Sequence, residues 1–261
     1  MNLFIFICQQ TLIFLVPLLL VGLGDLFSER SGVLNIALEG IMVFGAFAGI
    51  MFIRSASAAM PSWLVLLIAI LISILAGILL SSLHAFASIH LKAEQTISST
   101  AIITFATAFC IFYARVMLGT EQVVFRNTFR IDAVPLLSKI PVLGPILFQK
   151  AYVTTYLGIL VLIVTAFILK RTRFGLRLRS CGENPQAADS VGISVYKMRY
   201  SGVLISGALA GLGGLVFILP TTTTYTASVS GYGFLAMSVV VFGQWKPWGI
   251  ALGALFFGLT K

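Results

Sequence analysis

The chain has 261 residues, of which 59% are hydrophobic and only 10% charged, and it carries a formal net charge of +9 at neutral pH. Soluble domains carry roughly a quarter charged residues, so a water-covered globule is excluded and the solvent of this chain is lipid. The excess of Lys and Arg is no nucleic-acid signal, because these residues gather in loops between apolar runs, where they report orientation.

A helix needs about 20 apolar residues to cross the hydrocarbon. Residues 3–24 qualify and hold no charge; no basic flank precedes them and no small-residue cleavage site comes before Asp25, so they read as a retained span. Residues 36–53 form a second candidate, with Glu39 near its start and Asn35 one helical turn before it. A charge in a span is costly and usually functional. Asn35 and Glu39 therefore belong either to a polar pathway or to an interface where Glu39 caps a helix or pairs with Arg30.

Residues 63–87 are long and charge-free, and His84 and His90 near their end read as packing or interface residues. Next comes a polar stretch with Gln95, Ser98, Ser99 and Thr100. It either lines a route for a hydroxylated solute or opens the span 97–113 with Thr96 or Ser98 as N-cap. The loop 119–150 contains Pro135, Pro141 and Pro145, which suggest extended or turn structure. Spans at 153–169 and 201–219 flank a loop, 170–199, with seven basic residues against two acidic ones. The positive-inside rule places that loop in the cytoplasm. Counting back puts 119–150 and 54–62 outside, and 91–96 and the segment after Gly24 inside. Residues 220–231 are polar but uncharged, which fits a hydroxyl-rich cavity lining or an ordinary external loop. The last apolar run, 234–260, is interrupted by Gly243, Pro247 and Gly249, giving two shorter helices or a re-entrant piece, with Trp245, Lys246 and Trp248 suited to an interface. The expected fold is one all-α polytopic transmembrane helical bundle over residues 1–261, with about 7–9 membrane segments counting re-entrant half-helices.

Gly45/Gly49, Gly207/Gly211 and Gly249/Gly253 have GxxxG spacing and read as intrachain packing points, a dimer seam being the alternative. Ser31–Leu34 and Ser201–Leu204 share the string Ser-Gly-Val-Leu, a hint of duplication that chance also explains. Cys8, Cys110 and Cys181 lack paired spacing and read as small buried hydrophobes. There is no GxxxxGK[ST], HExxH or GxSxG motif. The chain is thus expected not to be an enzyme and to need no cofactor or metal, and any ATP must be bound by another chain.

The segment 172–197, through Gly182-Glu-Asn-Pro185, Ala187-Ala188 and Gly192-Ile193, resembles the coupling loop of bacterial ABC importer permeases that serve branched-chain amino acids, ribose-type sugars and nucleosides. The block 27–40 is similar to the signature of the nucleoside and simple-sugar branch, and 206–214 and 242–249 extend the likeness. The resemblance implies a permease subunit, multi-pass in the bacterial inner membrane and surrounded by lipid. Its implied partners are a cytoplasmic ABC ATPase, a second permease (the same chain or a related one) and an extracytoplasmic solute-binding protein or lipoprotein. The ATPase would dock on a short helix around 183–191, where Asn184 suits the cap, Pro185 the first position and Gly192 the end. Arg177, Arg179 and Glu183 lie beside it. Such permeases usually run on past the position of Lys261, so the chain is expected to be C-terminally truncated. Three rivals stay open: a branched-chain amino acid permease, a secondary transporter acting alone, and a membrane scaffold.

Overall fold

The computed structural model describes residues 2–57, 59–125, 129–133 and 149–260. Within them the chain forms α1 (Asn2–Arg30), α2 (Leu38–Ser55), α3 (Ser62–Ala85) continued by a π-helical turn (Phe86–His90), and α4 (Gln95–Leu118). Then follow α5 (Val153–Arg171), α6 (Arg173–Glu183), α7 (Pro185–Ser190), α8 (Val195–Thr221), α9 (Tyr232–Phe242) and α10 (Pro247–Leu259). Among the described residues six helices are long and apolar enough to cross a membrane, namely α1 to α5 and α8, and α9 and α10 are shorter apolar pieces. The polytopic helical bundle is as expected. The break in the last run falls at residues 243–246, where Gln244 and Trp245 both take left-handed backbone angles.

Among the described residues there are also four short strands. β1 (Val123–Val124) pairs antiparallel with β4 (Thr224–Tyr225), and β2 (Arg130–Ala133) with β3 (Gln149–Tyr152). Pro135, Pro141 and Pro145 lie outside the described residues.

α8 is the axis of the bundle: 78% of its apolar window is buried, against 22% for α4, which lies at the periphery. Glycine makes that central position possible. A Cβ on Gly45 of α2 would strike the backbone of Gly211, and one on Gly77 of α3 would strike Gly207 and come within 3.1 Å of the Gly211 Cα. In lipid, where water does not drive helices together, such close backbone approach supplies packing energy. Gly45, Gly207 and Gly211 thus serve intrachain packing, and Gly49 packs on Ser73 and Ala69. Gly249 packs on Gly243 across the α9–α10 turn.

Several expectations are corrected. Neither Thr96 nor Ser98 caps α4: Glu94 does, accepting the Thr96 and Ile97 N–H groups at 3.0 and 2.7 Å. A carboxylate satisfies two orphan amides at once and also suits the positive end of the helix. The Ser-Gly-Val-Leu strings adopt different structures, a turn after α1 and the interior of α8. Cys110 and Cys181 are buried and Cys8 is half-buried, all as free thiols. Burial pushes the Cys181 thiol above its ordinary range, so it packs rather than reacts.

Candidate functional site

The arginine-rich loop folds into two helices at one end of the bundle. Thr172 caps α6, its Oγ1 accepting the Gly175 N–H at 3.2 Å. A side chain at 175 would strike the backbone of Ile168 and Leu169, so glycine lets α6 turn tightly off α5. Asn184 then caps α7, accepting the Ala187 N–H at 3.0 Å, with Pro185 in the first turn. Gly192 ends it at φ +79°, while the Ile193 N–H donates to the Ala188 carbonyl at 3.1 Å. The sequence placed a helix around 183–191; the observed one is the shorter Pro185–Ser190. Ala188 is buried and Ile193 half-buried, and these two seat α7 on the body. Glu183, Asn184, Ala187 and Val191 face outward, and Val191 is 73% exposed. Arg177 is exposed and Arg179 half-buried, its Nε donating to the Gly175 carbonyl at 3.3 Å. α7 thus exposes Gln186, Asp189 and Ser190 together with Ala187 and, just beyond it, Val191, a mixed polar and apolar face. Asn184→Ala should destabilise α7 by about 1 kcal/mol, seen as faster amide hydrogen exchange at residues 187–190 and unchanged exchange in α8.

The end of α1 clasps this element to the α9–α10 turn. Arg30 Nη1 lies 3.6 Å from Glu183 Oε1, and Arg30 Nη2 donates to the Trp245 carbonyl at 2.9 Å. Trp245 Nε1 donates to the Glu29 carboxylate. Gly182 sits against the Arg30 carbonyl with no room for a side chain. Arg30 therefore pairs with Glu183, not Glu39. Glu39 lies at the other end of α9, where it accepts the Gly231 N–H at 2.9 Å and the Gly233 N–H at 2.7 Å. It caps a helix, though one 190 residues further along the chain rather than its own. The negative carboxylate meets the positive end of a half-helix whose first amides have no partner in their own helix.

Most of the other residues assigned to a path brace the α1–α2 connection. Asn35 Nδ2 donates to Ser206 Oγ at 3.0 Å, and Gln95 Oε1 accepts the Leu34 N–H at 2.9 Å. Ser98 Oγ lies 3.1 Å from His84 Nδ1, and His84 Nε2 lies 3.0 Å from the Leu34 carbonyl. Ser99 is buried, while Thr100 is exposed on α4 and donates to the Thr96 carbonyl. His90 reaches the Tyr200 hydroxyl at 2.6 Å, linking the π turn to α8. The histidines are packing residues, as expected.

A polar-walled space lies elsewhere. A cavity of about 460 Å³ opens between the N-terminal half of α1, the end of α8 and the start of α9. Its wall is the segment 222–230, in which Thr222, Thr224, Thr226, Ser228 and Ser230 line the cavity. The alternate residues Tyr225, Ala227 and Val229 are buried in the core, and the Tyr225 hydroxyl donates to the Val43 carbonyl at 2.7 Å. From Thr224 to Ser230 hydroxyl residues alternate with apolar or aromatic ones, and that period of two in the sequence was the signal available for this wall. Opposite stand Gln10 and an aromatic group, Phe14, Phe217 and Tyr232, with the Phe217 and Tyr232 ring centroids 4.1 Å apart. The cavity is lined by Phe14 from the N-terminal half of α1, whereas Arg30 at the other end of that helix meets Glu183 at the end of α6. The cavity and the α6–α7 element thus lie toward opposite ends of the bundle.

Residues 7–261 match the family described as branched-chain amino acid transport system / permease component. The chain belongs to that family. The permease is 45% identical to the guanosine ABC transporter permease protein NupQ of Bacillus subtilis, over 98% of this chain and 80% of that protein. It is 41% identical to the nucleoside ABC transporter permease protein NupC of Lactococcus lactis, over 97% of this chain and 80% of that one. A second Bacillus subtilis protein, the guanosine ABC transporter permease protein NupP, is 27% identical over 98% of this chain and 73% of its own length. No solved structure matches. Family and apolar helices together make this a multi-pass plasma-membrane protein, the permease subunit of an ABC importer.

Proposed function

We propose that this permease forms the membrane path for a nucleoside and is driven by a cytoplasmic ATPase that grips α6 and α7. The observation that carries the coupling is the exposed, fully capped α7, tied through Glu183, Arg30 and Trp245 to α9. α9 begins at the cavity, where Ser230 and Tyr232 line the wall. A push on the docking element therefore reaches the solute cavity through one short helix, with no phosphate chemistry on this chain. The named relatives support a nucleoside over a branched-chain amino acid, whose zwitterion asks for charges or free helix termini, and the α9 terminus at the cavity is already taken by Glu39.

The partner permease in this reading is a different chain. One organism holds two proteins titled guanosine ABC transporter permease, and this permease is far closer to one than to the other. An extracytoplasmic binding protein or lipoprotein delivers solute to the cavity side. ATP hydrolysis belongs to the ATPase subunit. The test is charge reversal at Arg177 and, separately, at Arg179. Both variants should keep ATP hydrolysis in the assembled complex and lose solute uptake into membrane vesicles. Wild-type uptake in both would remove the docking role.

A further inference from the structure

The geometry points to the cavity between α1, α8 and α9 as a subsite for a nucleoside, its base held against Phe14 and its ribose by the hydroxyl wall. This rests on the importer reading above and names the place and the chemistry of recognition. The volume, about 460 Å³, falls within the roughly 300–1,000 Å³ of small-molecule sites. Among the described residues, no Lys, Arg, Asp or Glu lines it. A free phosphate, a nucleotide or a zwitterionic amino acid would leave water there without a counter-charge to meet it.

What lines the cavity divides into two kinds of surface. On one side Phe14 and Tyr232 have ring centroids 6.4 Å apart, and Phe217 packs closely on Tyr232. Phe217 and Tyr232 are buried, so the half-buried Phe14 presents the accessible aromatic face, which suits a planar ring. Gln10 adds a donor and an acceptor beside it, the pair that the edge of a purine or pyrimidine can read. Across the cavity, hydroxyls repeat at every second residue from Thr222 to Ser230, each both donor and acceptor, as a ribose hydroxyl requires. Backbone strain accompanies that wall: Ala227 and Ser230 hold φ of 52° and 55°, which side chains other than glycine adopt rarely. Strain of this kind persists where surrounding structure enforces it and clusters at binding sites. Here Glu39, the β1–β4 pair and the Tyr225–Val43 hydrogen bond enforce it.

The experiment uses the complete importer, reconstituted in liposomes with ATPase, partner permease and binding protein. Uptake of radiolabelled guanosine and of ribose is measured per assembled complex. The wild type should import guanosine and leave ribose outside. Phe14→Ala should raise half-saturation for guanosine about tenfold, the usual worth of one stacked aromatic. Thr224→Val should raise it about threefold or more by removing one hydroxyl. Because Phe14 is only half-buried and Thr224→Val conserves shape, neither change should abolish assembly. Guanosine uptake by the wild type, with both variants at wild-type half-saturation, would overturn the subsite and leave the importer reading standing. Uptake of ribose in place of guanosine would overturn the nucleoside assignment. A wild-type complex that hydrolyses ATP and imports neither would overturn both readings.

Discussion

Glu39→Leu should abolish uptake and lower the melting temperature of the purified permease by several degrees. The carboxylate is the acceptor for the Gly231 and Gly233 amides at the start of α9. Each buried donor left without a partner costs about 1–3 kcal/mol. Leucine at this site leaves two such donors inside the bundle, so the loss is about 2–6 kcal/mol, comparable with much of the stability of an ordinary domain. The damage reaches function because Ser230 and Tyr232, on either side of the first capped amide, line the cavity. Glu39→Gln keeps one carbonyl acceptor and should fall between leucine and wild type in both melting temperature and uptake rate. If leucine melts and transports like the wild type, Glu39 is not what holds α9.

Gly211→Leu should leave no folded permease in the membrane. Its Cα faces the Gly45 position on one side and the Gly77 Cα on the other, and a Cβ here would lie 3.0 Å from that Cα and collide with the Ser73 carbonyl. The obstruction is backbone on neighbouring helices, so no side-chain rotation relieves it. Overpacking a core by a few methylenes costs about 1–3 kcal/mol where side chains can give way, and here α2, α3 and α8 would all have to separate. Gly211→Ala should fold in reduced yield. Gly119→Ala is the control: it meets open space, and its φ of +71° costs only about 1–2 kcal/mol. Protease resistance and monodisperse elution after detergent extraction report the outcome. Equal yields for Gly211→Leu and Gly119→Ala would mean that the seam tolerates a gap.

What could be read from the chain was whatever local chemistry decides. Helix existence followed from apolar length, because the bilayer leaves a backbone no other solvent-free arrangement of this kind. The cap, first position and terminator of α7 followed from Asn184, Pro185 and Gly192, each acting within a few residues of itself. The role of Glu39 did not follow. Its partners lie 192 and 194 residues away, and a sequence window shows only a costly charge near the start of a span. Asn35, Gln95 and Ser98 looked alike as polar residues near span ends, yet they brace a turn through Ser206, Leu34 and His84, contacts made by helices that are neighbours only in the folded bundle.

The cavity wall shows the division within a single segment. Its alternation of hydroxyl and apolar or aromatic residues from 224 to 230 is written in the chain and marks one face as polar. Which way that face turns is decided by the pairing of β4 with β1 and by the Tyr225 hydroxyl reaching Val43. The sequence by itself determined a lipid-dwelling helical chain, its breaks and the capped helix α7, since length, hydropathy and capping act locally. Tertiary structure alone decided which polar groups on different helices meet, because the packing of glycine on glycine sets which helices come close enough.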